Sequence, residues 1–305
     1  MNQSSILVVG SSNTDMVIQA DHLPLAGETV LGGRFFMNPG GKGANQAVAA
    51  ARLGGRVTFI AKTGNDIFGK QSIQLFSKEG IDTSYSRVDP IHPSGVALIT
   101  VDRNAENCIV VASGANAQLS PSDLFKAKGK IHQAGIILMQ LEIPVETVQW
   151  VVAAAAEKGV RVILNPAPVC ELPDELLRGV SVITPNQKEA EMLTGIRLTD
   201  LATFKKAAKK LQDKGIETVI ITLGSRGALL LQKGEYTMVR APLVKAVDTT
   251  AAGDTFNGAL AVALAEGLAM TDAVQFACNA AAISVTRPGA QASIPYRKEV
   301  LNLKS

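Results

Sequence analysis

The stretch VDTTAAGDTFNGAL, residues 247–260, is the one around which the rest of the chain is organised. Two threonines and the small residues Ala251, Ala252 and Gly253 run directly into a helical pattern. Phe256, Leu260, Ala263, Leu264 and Gly267 then fall on one stripe at helical spacing. Small residues at a helix start leave the first backbone N–H groups uncovered. Those groups and the helix dipole attract an anion, phosphate above all. Asp254 lies in that first turn. Its carboxylate either caps the helix or stands as a general base beside an anion hole, the pairing that phosphoryl transfer requires.

Upstream of this helix the chain alternates. From residue 120 onward, apolar β runs at 135–139, 160–164, 180–183 and 217–223 are separated by helical patterns such as 144–158 and 199–214. That alternation predicts a parallel sheet flanked by helices. Polar residues follow each run: Gln140 and Glu142, then Asn165-Pro166, then Thr184-Pro185-Asn186, then Gly224-Ser225-Arg226-Gly227. The first run, SILVVG at 5–10, leads likewise into Ser11, Ser12, Asn13, Thr14 and Asp15. One such residue is ordinary turn chemistry. Five strands doing it together mark a ligand site beyond the carboxyl ends of the strands. Downstream, a helix at 271–286 precedes the Gly- and Pro-containing loop TRPGAQASIP.

Closer to the N-terminus, NPGGKGANQAVAAARLGG at 38–55 places Gly40, Gly41 and Gly43 before an Ala-rich helix. It matches neither nucleotide motif: no G-x-x-x-x-G-K-[ST] occurs, and Gln46 stands where the dinucleotide fingerprint has its third Gly. Lys42 and Asn45 lie where a charged donor and an amide would hold a hydroxylated ligand. A strand at 56–61 and a helix at 66–79 follow. Two β-rich stretches, 15–38 and 94–112, interrupt the alternation. Each is too short to stand alone, so together they form one small sheet that covers the site.

The bulk properties exclude other classes. A chain of 305 residues, 47% hydrophobic, 19% charged and with mean hydropathy +0.18, reads as soluble and globular. No apolar run reaches the roughly 18 residues of a membrane span, and MNQSSILVVG lacks the basic segment of a secretory signal. Cys108, Cys170 and Cys278 are odd in number and far apart, which fits a reducing cytoplasm and neither a disulfide framework nor a zinc site. Net charge +3 is too mild for a nucleic-acid partner. KKAAKK at 205–210 reads as the solvated face of a helix.

Taken together, these stretches resemble the ribokinase family of sugar kinases over nearly the whole chain. The specific signatures are GGKGANQAVAAARLG at 40–54 and DTTAAGDTFNGAL at 248–260. NPAP at 165–168, TPNQKEAE at 184–191, TLGSRG at 222–227 and SVTRPGAQ at 284–291 agree in order and spacing. The resemblance implies one kinase domain over 1–305, a three-layer α/β/α core with a mostly parallel sheet and a small β-sheet lid. It implies MgATP-dependent transfer of the γ-phosphate to the 5-hydroxyl of D-ribose, and a homodimer whose lids clasp each other. Carried over by motif, Asn13, Asp15, Gly41, Lys42, Gly43, Asn45 and Glu142 hold the sugar, with Asp254 as base and Ala251, Ala252 and Gly253 as anion hole. Asn186 and the loop Thr222, Leu223, Gly224, Ser225, Arg226 and Gly227 hold ATP, with Gly253, and with Cys278 and Asn279 beside the adenine. Glu189 organises Mg²⁺ through water. A potassium-type site uses Asp248, which ends a strand before the anion hole, with Thr250, Ser284, Arg287, Gly289 and Ser293, several through backbone carbonyls. Gln187 replaces the first Glu of the more common TPNE, and Cys278 stands where relatives often carry His or Asn. Kinases for fructose, 2-deoxyribose or pseudouridine are the same-class rivals. A sensing module without catalysis is disfavoured because Asp254, Asn186 and Glu189 are all present.

Overall fold

The computed structural model describes residues 5–104 and 106–303. In chain order its strands are β1 (Ser5–Val9), β2 (Asn13–Gln19), β3 (Arg34–Gly40), β4 (Arg56–Ile60), β5 (Lys62–Gly64), β6 (Arg87–Asp89), β7 (Gly95–Val101), β8 (Asn107–Ala112), β9 (Ile136–Met139), β10 (Arg161–Leu164), β11 (Val182–Ile183), β12 (Thr218–Thr222), β13 (Ala228–Gln232) and β14 (Glu235–Val239). The main sheet has eight strands in the order β14-β13-β12-β11-β10-β9-β1-β4. Six of them run parallel, as the alternating pattern predicts, because helices cross over between them. The antiparallel edge formed by β13 and β14 departs from the expected alternation. Its cause is local: Lys233 and Gly234 both take positive φ (51° and 82°), the two-residue turn that closes a tight hairpin.

Alternate residues of the buried strands serve opposite faces. Ile6, Val8, Leu138, Ile163 and Ile220 pack with the Lys42–Arg52, Ala252–Ala265 and Met270–Ser284 helices. Leu7, Val9, Ile137, Leu164 and Ile221 pack with the Val145–Ala156 and Leu201–Gln212 helices on the other side. Each fully buried Leu, Ile or Phe contributes roughly 1.5–3 kcal/mol, so the two layers fix the sheet between them. In the Leu201–Gln212 helix Ala207 and Ala208 are buried while Lys206, Lys209 and Lys210 face solvent, as KKAAKK suggests.

The Ala252–Ala265 helix is not the one-sided element that its stripe predicts. Every residue from Asp254 to Leu264 is buried, because two helices and the sheet enclose it. Gly267 lies beyond its end, exposed and at φ 86°. Close packing on the Lys42–Arg52 helix depends on Gly258: a Cβ there would stand 2.8 Å from the Gln46 carbonyl oxygen and 2.9 Å from the Ala50 nitrogen. This contact carries the Gly-rich N-terminal helix to the start of the Ala252–Ala265 helix.

A separate four-stranded sheet, order β3-β2-β7-β8, is made by the two β-rich interruptions. The β2–β7 pair is parallel and the flanking pairs are antiparallel. Its first stretch begins earlier than expected, at Asn13, and ends later, at Gly40.

Candidate active site

The Ala252–Ala265 helix starts without a side-chain cap, and its N-cap residue Ala251 sits in the left-handed region at φ 58°. The Ala252 N–H closes a turn onto the Thr249 carbonyl (3.2 Å), so it is not free for an anion as the motif implies. Among the described residues the amides of Ala251, Gly253 and Asp254 have no such partner. A Cβ on Gly253 would meet nothing within 4 Å. Open space above unpaired N–H groups at a helix N-terminus suits a phosphate.

Asp254 points the other way, into the protein. Its Oδ2 accepts from Asn45 Nδ2 (3.0 Å) and its Oδ1 from Gln46 Nε2 (3.0 Å). Burial pushes this carboxyl above its usual range, opposed by Lys42 and the two amides. Asn45 Oδ1 is buried and has no partner among the described residues, which leaves an open acceptor beside Asp254.

The polyol residues gather around that point from three elements. Gly43 lets the Lys42–Arg52 helix start against the end of β1, where a Cβ would lie 2.5 Å from the Ser11 nitrogen. Ser11 Oγ donates to Glu142 Oε2 (2.5 Å) and accepts the Gly43 N–H (3.3 Å). The Lys42 N–H donates to the same Glu142 oxygen (2.9 Å). Gly41, at φ 88°, and Gly43 thus shape the backbone, and the Gly43 N–H is already taken. Asn13 is anchored by Asn116, whose Nδ2 donates to Asn13 Oδ1 (2.7 Å). Ser11 is read in the sequence only as one of the polar residues after the first strand, and Asn116 has no pattern there. A cavity of about 340 Å³ opens here, lined by Asn13, Val111, Asn116, Glu142 and Ile143 among others.

Asp15 extends from β2 with no hydrogen-bond partner among the described residues. Burial, with Glu142 and Asp254 adding their charges, raises its pKa to about 6 against the pull of Lys42. Burial would lower the Lys42 ammonium pKa, but Asp254, Glu142, Glu189 and Asp15 together carry it above its ordinary value. Lys42 therefore stays charged at the centre of four carboxylates.

A second cleft, of about 440 Å³, adjoins the helix start. Thr222, Gly224, Ser225 and Gly227 line it, with Gly253 and Cys278. Four of the residues that the resemblance assigns to ATP do not line it, Asn186 among them. Leu223 is buried in the core, Arg226 stacks over Phe204 and donates to Gln187, and Asn279 accepts from Gln275. Much of the lining went unread in the sequence: Pro242, Leu243, Val244, Ala246, Phe256, Ala281 and Val285. The available signal was PLVKAV at 242–247, apolar residues with neither helical nor strand period; Leu243 is 96% exposed. Burial pushes the Cys278 thiol up to about 12, so it is an apolar wall and no nucleophile.

Asn186 and Glu189 form a reciprocal helix cap: Glu189 N–H donates to Asn186 Oδ1 (2.9 Å), and the Asn186 N–H and Nδ2 donate to the Glu189 carboxylate (2.8 and 2.7 Å). Burial raises the Glu189 pKa despite the Asn186 N–H and Lys42. Asp248 does not end a strand; it lies in the irregular segment after β14. Its Oδ1 accepts from the Thr250 N–H (2.9 Å) and Oγ (2.6 Å), its Oδ2 from the Gly289 N–H (2.8 Å). The Ser284 and Ser293 hydroxyls bond Ala281 and Ala290 carbonyls, and Arg287 pairs with Glu299. A cation here would rest on Asp248 and backbone carbonyls, not on those side chains.

An inward-facing carboxylate, an uncapped helix start and two clefts, one edged by Asn13, Asn116 and Glu142 and one largely apolar beside the helix start, define a phosphotransferase acting on a polyhydroxy acceptor. Its architecture is the α/β kinase fold with a small accessory sheet. The family model described as "pfkB family carbohydrate kinase" matches residues 3–297, and the chain belongs to that family. It is 46% identical over 299 residues to a ribokinase of Haemophilus influenzae, covering 98% of both chains. The structure matches ribokinase from Thermotoga maritima with TM-score 0.89 at 43% identity, covering 98% of each chain. It matches Arabidopsis thaliana ribokinase complexed with ribose and ATP with TM-score 0.91 at 34% identity, covering 98% of this chain and 97% of that one.

Proposed function

We propose that the enzyme transfers the γ-phosphate of ATP to the 5-hydroxyl of D-ribose, giving D-ribose 5-phosphate and ADP. The observation that carries this reading is the placement of Asp254. Its carboxylate borders the polyol residues while its own helix start faces the nucleotide cleft. The O5 proton passes to Asp254, the O5–P bond forms as the bond to ADP breaks, and the free N–H groups of Gly253 and Asp254 stabilise the charge on the transferring group. Lys42, charged at the junction, offsets the negative charge of both partners. Asn13, Asp15, Asn45 and Glu142 offer acceptors and donors for adjacent hydroxyls, which a sugar lacking one of them leaves unpaired.

Glu189, at the start of its helix between Asn186 and Lys42, suits Mg²⁺ held through water. Bound there, the ion supplies neutralisation of the phosphate oxygens. Asp248 with nearby carbonyls is a hard-oxygen set of low charge, which suits K⁺ better than an octahedral dication. The four-stranded sheet acts as a lid, and its outer face joins two copies of the chain. Among the described residues no helix is long and apolar enough to cross a membrane; a cytoplasmic location agrees with three unpaired cysteines.

One assay tests the catalytic reading: ADP release over a panel of pentoses, hexoses and nucleosides, in K⁺ or Na⁺ salts of equal ionic strength. D-ribose gives the highest kcat/KM, and K⁺ raises the rate severalfold. A hexose, 2-deoxyribose or a nucleoside ahead by about tenfold, a gap of roughly 1.4 kcal/mol, refutes the ribose assignment. Equal rates in both salts refute the K⁺ site.

A further inference from the structure

Behind the base lies a buried chain of amides. Gln46, fully buried, donates its single Nε2 group to Asp254 Oδ1 (3.0 Å) and to Asn165 Oδ1 (3.0 Å). Its own Oε1 accepts from Gln140 Nε2 (2.5 Å), and Gln140 is also fully buried. The carboxylate and Asn165 Oδ1 both accept, which decides that the Gln46 NH₂ faces them and leaves its Oε1 to Gln140. Were the amide turned over, its oxygen would oppose both the carboxylate and Asn165 Oδ1. The chain continues: Asn165 Nδ2 donates to the Thr184 carbonyl (3.4 Å), Thr184 Oγ1 to Asn257 Oδ1 (2.7 Å), and Asn257 Nδ2 to the Gly253 carbonyl (2.8 Å). The carboxylate and the turn carrying the free amides are thus joined through the ends of β9, β10 and β11.

We propose that Gln46 is a positioning residue for the base, holding the Asp254 carboxylate in the orientation that receives the acceptor proton. This rests on the reading of Asp254 as general base. Asn45 holds the other oxygen but faces the ligand, with its own Oδ1 unpartnered; Gln46 faces only protein. Its donation also favours the ionised carboxylate, against the burial that disfavours it. The charged groups facing Asp254 from the surrounding elements are Lys42, Glu142, Asp15 and Glu189. Gln46 and Asn45 are the neutral donors in that ring.

The test is kcat against pH, with KM for D-ribose and MgATP, for wild type, Gln46→Met, Gln46→Glu, Asp254→Asn and the Gln46→Met/Asp254→Asn pair. Gln46→Met keeps the shape and loses the donor. Its kcat falls about 10- to 100-fold, as for a lost hydrogen bond to a charged group. Both KM values change little, and the acid limb of the profile moves to higher pH. Gln46→Glu retains the Gln140 contact and so serves if the apolar variant does not fold. Its carboxylate opposes Asp254 and moves the acid limb further in the same direction. In the Asp254→Asn background the Gln46 substitution costs little more. If Asp254→Asn is inactive while both Gln46 variants keep the wild-type kcat and acid limb, the positioning role is overturned and the base stands. If Asp254→Asn keeps the wild-type kcat, the base reading fails and the positioning role falls with it.

Discussion

Asp15 carries the conflict between stability and function most openly. It is largely buried, unpaired, and close to Glu142 and Asp254, and its pKa rises from 3.8 to about 6. A carboxyl whose folded pKa is raised binds more protons in the folded state between those two values. Its favourable contribution is present below about pH 4 and is lost as pH rises through about 6. Asp15→Asn removes that charge. At pH 8 it should stabilise the protein by an amount of order 1–3 kcal/mol, while weakening D-ribose binding. Denaturant unfolding at pH 4 and pH 8 checks this: the gain belongs at pH 8 and should shrink at pH 4. A variant less stable than wild type at pH 8 would mean that Asp15 is paired in the folded protein. The motif pointed to Asp15 as a sugar ligand. Its raised pKa depends on burial first and then on the charges of Glu142 and Asp254 from distant segments, so no window around residue 15 contains it.

The start of the Ala252–Ala265 helix shows the same trade at the scale of one element. Alanine is better than glycine inside a helix, and the space beside Gly253 is open. Gly253→Ala should therefore stabilise the fold by about 0.4–1 kcal/mol. The added methyl intrudes where the transferring phosphate must lie, so kcat/KM for MgATP should fall roughly 100- to 1,000-fold, the range seen when one anion-hole donor is lost. A melting curve with MgATP kinetics on the same preparation decides it; unchanged kinetics would move the phosphate away from Gly253. The helix, its small-residue start and Asp254 were all legible as a string. That the Ala252 N–H is spent on Thr249 was not, because it follows from the left-handed Ala251. The Asp248 strand failed for a similar reason: β14 stops at Val239, and PLVKAV leaves the sheet to line the cleft beside the helix start.

For the whole molecule, the four-stranded sheet has two unlike faces. Cross-strand register puts Met37 beside Met16, Met16 beside Leu98 and Leu98 beside Val110, with Phe35 beside Ile18 on the same face. Phe35, Leu98 and Val110 are 57%, 56% and 68% exposed. The opposite face carries Asp15 and the buried Val17 toward the body. An exposed apolar band of this kind is the surface a second copy would cover. Leu98→Lys with Val110→Lys should leave the body folded and convert a dimer to a monomer by sedimentation, with weaker D-ribose binding. Unchanged mass would place any self-association elsewhere.

The sequence by itself determined the alternating α/β core, the two β interruptions and the strand ends at which ligand residues appear. These are written in local hydrophobic period and in short motifs, and local chemistry suffices to form them. Tertiary structure alone decided which residues meet. Asn45 and Gln46 reach Asp254 across more than two hundred positions, and Gln46 acquires its orientation from the two acceptors it meets there, Asp254 and Asn165. In the string Gln46 was only the residue that broke a glycine motif. Its placement exists because Gly258 brings the two helices together, and because a buried amide between two acceptors can face them in one way only.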